Sequence, residues 1–423
     1  MPKLKIAILS YRSAPYGGGQ GVYVHDISKA LIIMGHKVDV ISGPPYPDLF
    51  DEVNLVKLPG LDLFQTFSFK KRVEIFVNKK KKKLIDFYEF ISTLFGGFPE
   101  MRTFGVRAKN FLEEKQYDVI IDNQSISYGM LDIQKKMPFI EIIHHPITKD
   151  FSHELEASSK FLYKLSRYRW YSFLRMQKKV APKINRIITP SQNSKKDIAY
   201  DFDCNLNKIT VINNGIDTDV FSPDNSIERK PYRLITTASA DVPLKGLDYT
   251  LKALSILQEN LPEIELIVIG KLKEEGHTAR LIKRLNIQEK VHFKTGLTKE
   301  DIAKEYAKSS ISIVSSLYEG FGYPVIEAMS CGVPLIAAKT SSIPELTGDF
   351  ACLIPAKDEE TLTKSISIIF SSYDQYKIIA EKGRQHIIDN FNWLKITQEY
   401  ENIIYKTIAV SYTHLTLPTK DSV

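Results

Sequence analysis

Residues Leu4–Leu9 form a short apolar run closed by a serine, a proline and glycines, and apolar residues then recur at helical spacing from Tyr23 to Met34 before Gly35. A β-branched run follows at Val38–Ile41. This order of strand, glycine loop, helix and strand predicts the first βαβ unit of a parallel sheet. Further strands are expected at Val119–Asp122, Phe139–Ile143 and Arg186–Thr189, separated by segments of helical pattern, so that one Rossmann-like half fills roughly the first 200 residues. After the turn-rich stretch Asn213-Asn214-Gly215-Ile216-Asp217 the alternation restarts. Strands are expected at Leu234–Ala238, Glu265–Ile269, Val291–Phe293, Ile311–Val314 and Pro334–Ala337, with helices at Leu247–Gln258, Ala279–Leu285, Lys299–Lys308 and Pro324–Cys331 between them. The pattern therefore predicts an α/β protein of two doubly wound domains. They are expected to span 1–203, joined by a C-terminal helix at about 386–409, and 204–385, with ligands bound in a cleft at the carboxyl ends of the strands.

Composition narrows the function classes. The chain has 423 residues, 43% apolar and 25% charged, which suits two or three folded domains and excludes a small binding module. No apolar run is long enough to span a bilayer, and the N-terminus lacks a small-residue cleavage site, so a cytoplasmic protein is expected. Cys204, Cys331 and Cys352 are too scattered for a disulfide framework or a zinc site. The formal charge of +7 is uneven: residues 1–203 hold 32 Lys and Arg against 22 Asp and Glu, and the remainder is slightly acidic. A basic first half attracts anionic ligands or surfaces. Residues 410–419, VSYTHLTLPT, resemble the translation of a sequencing-library adapter, so 410–423 is expected to be a non-native tail, the alternative being a disordered terminus.

The richest chemistry lies in Ser315–Met329, SSLYEGFGYPVIEAM. A strand ends in a loop bearing Glu319, Gly320 and Gly322 allow close backbone approach, and Pro324 is placed to open a helix with Glu327 in its first turn. Backbone N–H groups near Phe321–Tyr323 would bind an anion, while two carboxylates eight residues apart grip hydroxyls to either side. A phosphate flanked by polyols describes a nucleotide sugar. The plainer alternative is a generic strand-to-helix junction with Glu327 complementing the helix dipole.

This run resembles the paired-glutamate motif of the retaining glycosyltransferases of family 4. Further resemblance lies in Cys331-Gly332-Val333-Pro334, Ile343-Pro344-Glu345, the glycine loop Gly18-Gly19, Gly35-His36-Lys37-Val38, Ile212–Phe221 and Leu244-Lys245-Gly246. It implies the GT-B fold, two Rossmann-like domains facing a central cleft, and covers the chain to about residue 409. By that similarity Glu319 and the backbone of Phe321 and Gly322 would contact the donor sugar, and Glu327 the ribose hydroxyls. Gly18 and Gly19 would approach the donor phosphates or the acceptor, the alternative being a structural turn. The glycine spacing from Gly17 does not fit a dinucleotide fingerprint, since the third glycine would fall at Val22. Lys245 is placed to neutralise the departing diphosphate, work a metal ion does elsewhere. Where many relatives have an arginine five positions earlier, this chain has Ala240. His144 ends a strand and matches a histidine that relatives place beside donor sugar and acceptor, a role suited to neutral imidazole, the alternative being a satisfied, partly buried histidine.

The triplets Asp201-Phe202-Asp203 and Asp217-Thr218-Asp219 do not follow strands as a metal-binding DxD requires, so no metal and no cofactor are expected. The run Lys70–Lys83 precedes apolar residues on one helical face, Leu84, Ile85, Phe87, Tyr88, Ile91, Leu94 and Phe95, which suits either an anionic membrane surface or a solvated charge run beside a core helix. Arg167–Lys179 is also basic and aromatic. No nucleic-acid-reading element is recognisable. The expected partners are a nucleoside diphosphate sugar, a glycan or lipid-linked acceptor and an anionic membrane surface. The competing readings are a nucleotide-sugar epimerase of the same fold and a noncatalytic sugar-nucleotide-binding protein.

Overall fold

A computed structural model describes residues 2–14, 19–64, 66, 68–156, 159–238 and 240–416. The chain forms two compact units, one comprising Met1–Pro190, Ser194–Ile212 and Trp393–Val423, the other Ser191–Asn193 and Asn213–Asn392.

The first unit is built on seven parallel strands, β1 (Lys5–Ser10), β2 (Lys37–Ser42), β3 (Asn54–Lys57), β4 (Val119–Asn123), β5 (Phe139–Ile142), β6 (Ile187–Thr189) and β7 (Ile209–Val211), in the order β3-β2-β1-β4-β5-β6-β7. The second has six, β8 (Arg233–Thr237), β9 (Glu265–Ile269), β10 (Val291–Lys294), β11 (Ile311–Val314), β12 (Leu335–Ala338) and β13 (Cys352–Ile354), in the order β10-β9-β8-β11-β12-β13. Near-continuous apolar strands form parallel sheets because both faces are covered. In β1, Ala7 and Leu9 enter one core cluster while Ile6 and Ile8 enter another across the sheet. In β9, Ile267 and Ile269 are divided from Leu266 and Val268 in the same way.

Helix α1 (Gly19–Ile33) covers one face of the first sheet together with the last helix, Trp393–Thr416. Ile396, Tyr400 and Ile404, four residues apart, present one apolar stripe to that core. Tyr23 Oη donates to Tyr400 Oη at 3.0 Å, and His36 Nε2 lies 3.0 Å from Glu401 Oε1.

The divide between the units falls at Ile212/Asn213 rather than at 203/204, because β7 completes the first sheet. The segment that rejoins the first unit begins at Trp393 rather than 386, since His386–Phe391 ends the helix Tyr373–Phe391 of the second. The last helix continues through Val410 to Thr416, into the segment expected to be a tail, and residues 417–423 lie outside the described residues.

Helices α2 (Phe69–Asn78), α3 (Leu84–Leu94) and α4 (Glu100–Leu112) follow β3. In α3 the usual polarity is reversed. Asp86, Glu89 and Thr93 are buried, while Leu84, Phe87, Tyr88 and Ile91 are exposed. The buried carboxylates face Arg107 of α4: Nη2 bonds Asp86 Oδ1 at 2.7 Å and also Glu89 Oε2, and Lys79 Nζ reaches Asp86 at 2.8 Å.

Candidate active site

In the second unit the strand order reverses between β8 and β11, and the expected site residues leave the carboxyl ends of those two strands. Lys245 closes the short turn Pro243–Lys245 after β8. Gly246 follows with φ +62°, and a Cβ there would lie 2.0 Å from the Ser315 carbonyl oxygen, so only glycine lets this turn press against the end of β11. Leu317 N donates to Leu244 O at 2.7 Å, and Ser315 Oγ to Gly246 O at 2.9 Å. The two loops are thereby locked together. The consequence is an ion pair: Lys245 Nζ stands 2.7 Å from Glu319 Oε1, the lysine side chain 29% exposed and the glutamate 9%.

Serines fix the glutamate. Ser316 Oγ donates to Glu319 Oε1 at 2.7 Å, Glu319 N donates to Ser341 Oγ at 2.8 Å, and Ser342 Oγ reaches Glu319 O at 2.9 Å and also Phe321 O. Ser191 Oγ donates to Gly320 O at 2.8 Å. Gly322, at φ +118°, turns the chain into the helix Tyr323–Ser330. That helix starts one residue earlier than expected, with Pro324 second, so Glu327 is its fifth residue and lies in the second turn rather than the first. There Tyr306 Oη, fully buried, donates to Glu327 Oε2 at 3.2 Å. Burial and the Glu327 charge hold the Tyr306 phenol well above its usual pKa, which keeps it a donor. Ala240 is buried and supplies no cation beside Lys245.

In the first unit His144 follows β5. Its Nε2 is 2.8 Å from Asn123 Oδ1, its backbone N donates to Gln124 Oε1 at 2.9 Å, and its ring meets the edge of Tyr23 at 4.7 Å. Burial, with the charge of His145 adding to it, lowers the imidazole pKa to about 3, so His144 is neutral at physiological pH. His145 pairs instead with Asp150 at 2.8 Å. Gly19 opens α1 after β1, whereas Gly18 lies outside the described residues.

Residues of both aspartate triplets are engaged within the fold. Asp201 pairs with Lys149, and Asp217 Oδ1 caps the N–H groups of Asp219 and Val220 at 3.2 Å each. Among the described residues no group of three or more His, Cys, Asp or Glu could hold a metal ion, and no helix is long and apolar enough to cross a membrane. Sequence reasoning did not find Tyr306, Ser316, Ser341 or Asn123. Ser316 lies in the recognised motif, but Tyr306 and Asn123 are 21 residues from the partners they hold, and no local pattern marks such a pairing.

The family profile "Glycosyl transferases group 1" matches residues 221–386, and "Glycosyltransferase Family 4" matches residues 17–220. The chain is 37% identical over 416 residues to the MMP alpha-(1->4)-mannosyltransferase of Mycolicibacterium hassiacum, covering 96% of this chain and 99% of that protein. The chain belongs to the group 1, family 4-like glycosyltransferases. A probable sucrose-phosphate synthase of Thermosipho melanesiensis is 27% identical over 427 residues, covering 93% of this chain and 92% of that one. Among solved structures, sucrose-phosphate synthase from Thermosynechococcus elongatus superposes with a TM-score of 0.74 at 18% identity, over 96% of this chain and 100% of the other. Anabaena HepE in complex with UDP and glucose gives 0.70 at 17% identity, over 95% and 99%. The fold of this glycosyltransferase is thus GT-B, each unit being one of its Rossmann-like domains.

Proposed function

We propose that this glycosyltransferase moves a hexosyl group from a nucleoside diphosphate sugar to a hydroxyl of a glycan or lipid-linked acceptor, with retention of anomeric configuration and without a metal ion. The observation that carries the reading is the Lys245–Glu319 pair at 2.7 Å, built from strands on either side of the sheet's reversal and followed directly by the helix Tyr323–Ser330. Such reversals bind nucleotides in open parallel sheets. In this reading the bond from the anomeric carbon to the diphosphate oxygen breaks and a bond to the acceptor oxygen forms on the same face, the acceptor proton passing to the leaving diphosphate. Lys245 and the N–H groups of Phe321 and Gly322 oppose the charge that grows on the diphosphate. Glu319 accepts from donor-sugar hydroxyls, Glu327, held by Tyr306, accepts from ribose, and neutral His144 hydrogen-bonds a sugar hydroxyl. Retention is supported by the family resemblance.

The test begins with thermal stabilisation by a panel of nucleoside diphosphate sugars, since a donor that binds the folded protein raises its melting temperature by mass action. The 37% identical mannosyltransferase makes mannosyl donors the first to try. The donor that binds is then supplied with saccharide acceptors in excess chelator, and the anomeric configuration of the product is read by NMR. An α-linked product from an α-linked donor, with a rate unchanged by chelator, is expected. An inverted product would overturn retention, a strict metal requirement would overturn the role of Lys245, and turnover of the donor without any acceptor would favour an epimerase.

A further inference from the structure

Asn123 ends β4 where the strand order of the first sheet reverses, opposite Ser10 of β1 on one side and Ile142 of β5 on the other. Its side chain is fully buried and its amide is used at both ends. Nδ2 donates to Ser10 Oγ at 3.3 Å, and Oδ1 faces His144 Nε2 at 2.8 Å. Ser10 Oγ itself bonds Ser13 Oγ and Arg12 O, so the hydroxyl is held in place. The two ends of the amide are therefore distinguished: turned over, its NH2 would meet Nε2 and its oxygen would face a hydroxyl already committed elsewhere. With Oδ1 as partner, a neutral ring must carry its proton on Nε2 and keep its lone pair on Nδ1.

We infer that Asn123 is a positioning residue for His144, selecting the Nε2–H tautomer so that Nδ1 is the ring's acceptor for a substrate hydroxyl. The inference rests on the function proposed above for His144. It explains why a buried amide stands at the carboxyl end of a central strand, Val119-Ile120-Ile121-Asp122-Asn123. The titratable groups around the ring are His145, engaged with Asp150; Tyr23, bonded to Tyr400; and the carboxyls of Asp122 and Glu141 within β4 and β5. The partner of His144 Nε2 is Asn123 Oδ1.

The experiment uses the full chain with 15N-labelled histidine, the His144 signals being assigned by their loss in His144→Ala. Wild type is expected to show a neutral Nε2–H imidazole from about pH 5.5 to 8. Asn123→Ala is expected to mix the tautomers and lower kcat roughly ten-fold, with little change in the donor KM. Asn123→Asp keeps an oxygen against Nε2 but adds charge, so the imidazole pKa rises. Activity of that variant should fall at low pH and recover as the pH rises and the ring loses its proton, a profile a merely structural side chain would not produce. Being isosteric, it also carries the test if the alanine variant fails to fold. A wild-type tautomer and kcat in Asn123→Ala, or a wild-type pH profile in Asn123→Asp, would overturn the inference while leaving His144's function standing. Full kcat in His144→Ala would overturn that function, and with it any catalytic consequence of Asn123.

Discussion

Glu141 is the residue whose surroundings least suit its charge. It sits fully buried in β5, in register with Asp122 of β4, with the Asp122 carboxyl and the Ile126 N–H beside its own carboxyl. Burial and the neighbouring Asp122 raise its pKa well above the ordinary carboxylate value, so the folded protein holds a proton that the unfolded chain releases near pH 4 to 5. A group with a raised folded pKa favours the folded state less as the pH climbs from the unfolded pKa toward the folded one. Glu141→Gln, whose amide can donate to Asp122 Oδ1, should therefore stabilise the protein at pH 8, with the gain fading toward pH 4. Denaturant melts across that range measure it, and a pH-independent effect would contradict it. The same scale separates the two glutamates of the second unit. Glu327→Ala should weaken nucleoside diphosphate binding ten-fold or more, about 1.5 to 3 kcal/mol for one charged hydrogen bond, and Tyr306→Phe should repeat the effect more weakly because it removes the donor that orients Glu327. Glu319→Ala should spare diphosphate binding and lower turnover. Calorimetry with the nucleoside diphosphate checks all three, and equal losses for Glu319→Ala and Glu327→Ala would refute the division.

Among the elements, α3 departs furthest from its sequence pattern. An apolar stripe beside a charge run reads either as a membrane-facing helix or as one that buries the stripe in a core, and α3 instead buries its carboxylates because Arg107 and Lys79 are there to receive them. Burial raises the Asp86 pKa, but bonds from Lys79, the Lys83 backbone and Arg107 outweigh it and hold the carboxyl below its usual value. Arg107→Ala leaves two buried carboxylates short of their partner and should cost about 3 kcal/mol or more in a denaturant melt. The stripe itself is open, with Leu84 89% and Phe95 74% exposed beside Lys79–Lys83. Each lysine near an anionic surface contributes about 1 kcal/mol before screening. If this face docks on anionic lipid, sedimentation with anionic vesicles should exceed that with neutral ones and fall when the five lysines become glutamine. Binding indifferent to lipid charge and to those changes would leave the run a solvated surface. The strands show where pattern suffices: β9 and β11 lie where Glu265–Ile269 and Ile311–Val314 predict them, because central strands are continuously apolar. The edge or near-edge strands β3, β7 and β13 escaped notice, being three or four residues long and only partly buried. The candidate site divides in the same way. Lys245, Glu319 and Glu327 stand within short motifs, whereas Asn123, Tyr306 and Arg107 act on residues 18 to 21 positions away and become visible only once the chain is folded.

For the whole molecule, the basic charge of the first half does not describe its buried features: Asp122 and Glu141 lie in its sheet, and Asp86 and Glu89 lie under α3. Charge over a unit steers partners from a distance, while chemistry is set by the few groups that lose water. The last helix carries a different kind of consequence. It supplies Ile396, Tyr400 and Ile404 to the core that also holds Tyr23, and Tyr23 packs against His144. A chain stopped after Asn392 should keep nucleoside diphosphate binding in the second unit but expose the first to rapid limited proteolysis, whereas equal protease resistance in the two chains would show that this helix adds little. During synthesis the same dependence becomes a matter of timing. The first unit reaches Ile212 with one face of its sheet covered by α1 but not yet by the last helix, and about 180 residues of the second unit must leave the ribosome before Trp393 arrives. The domain translated first is therefore the domain finished last, and for that interval the part of its core that the last helix covers, beside β4 and β5, depends on chaperones or on speed of translation to escape aggregation.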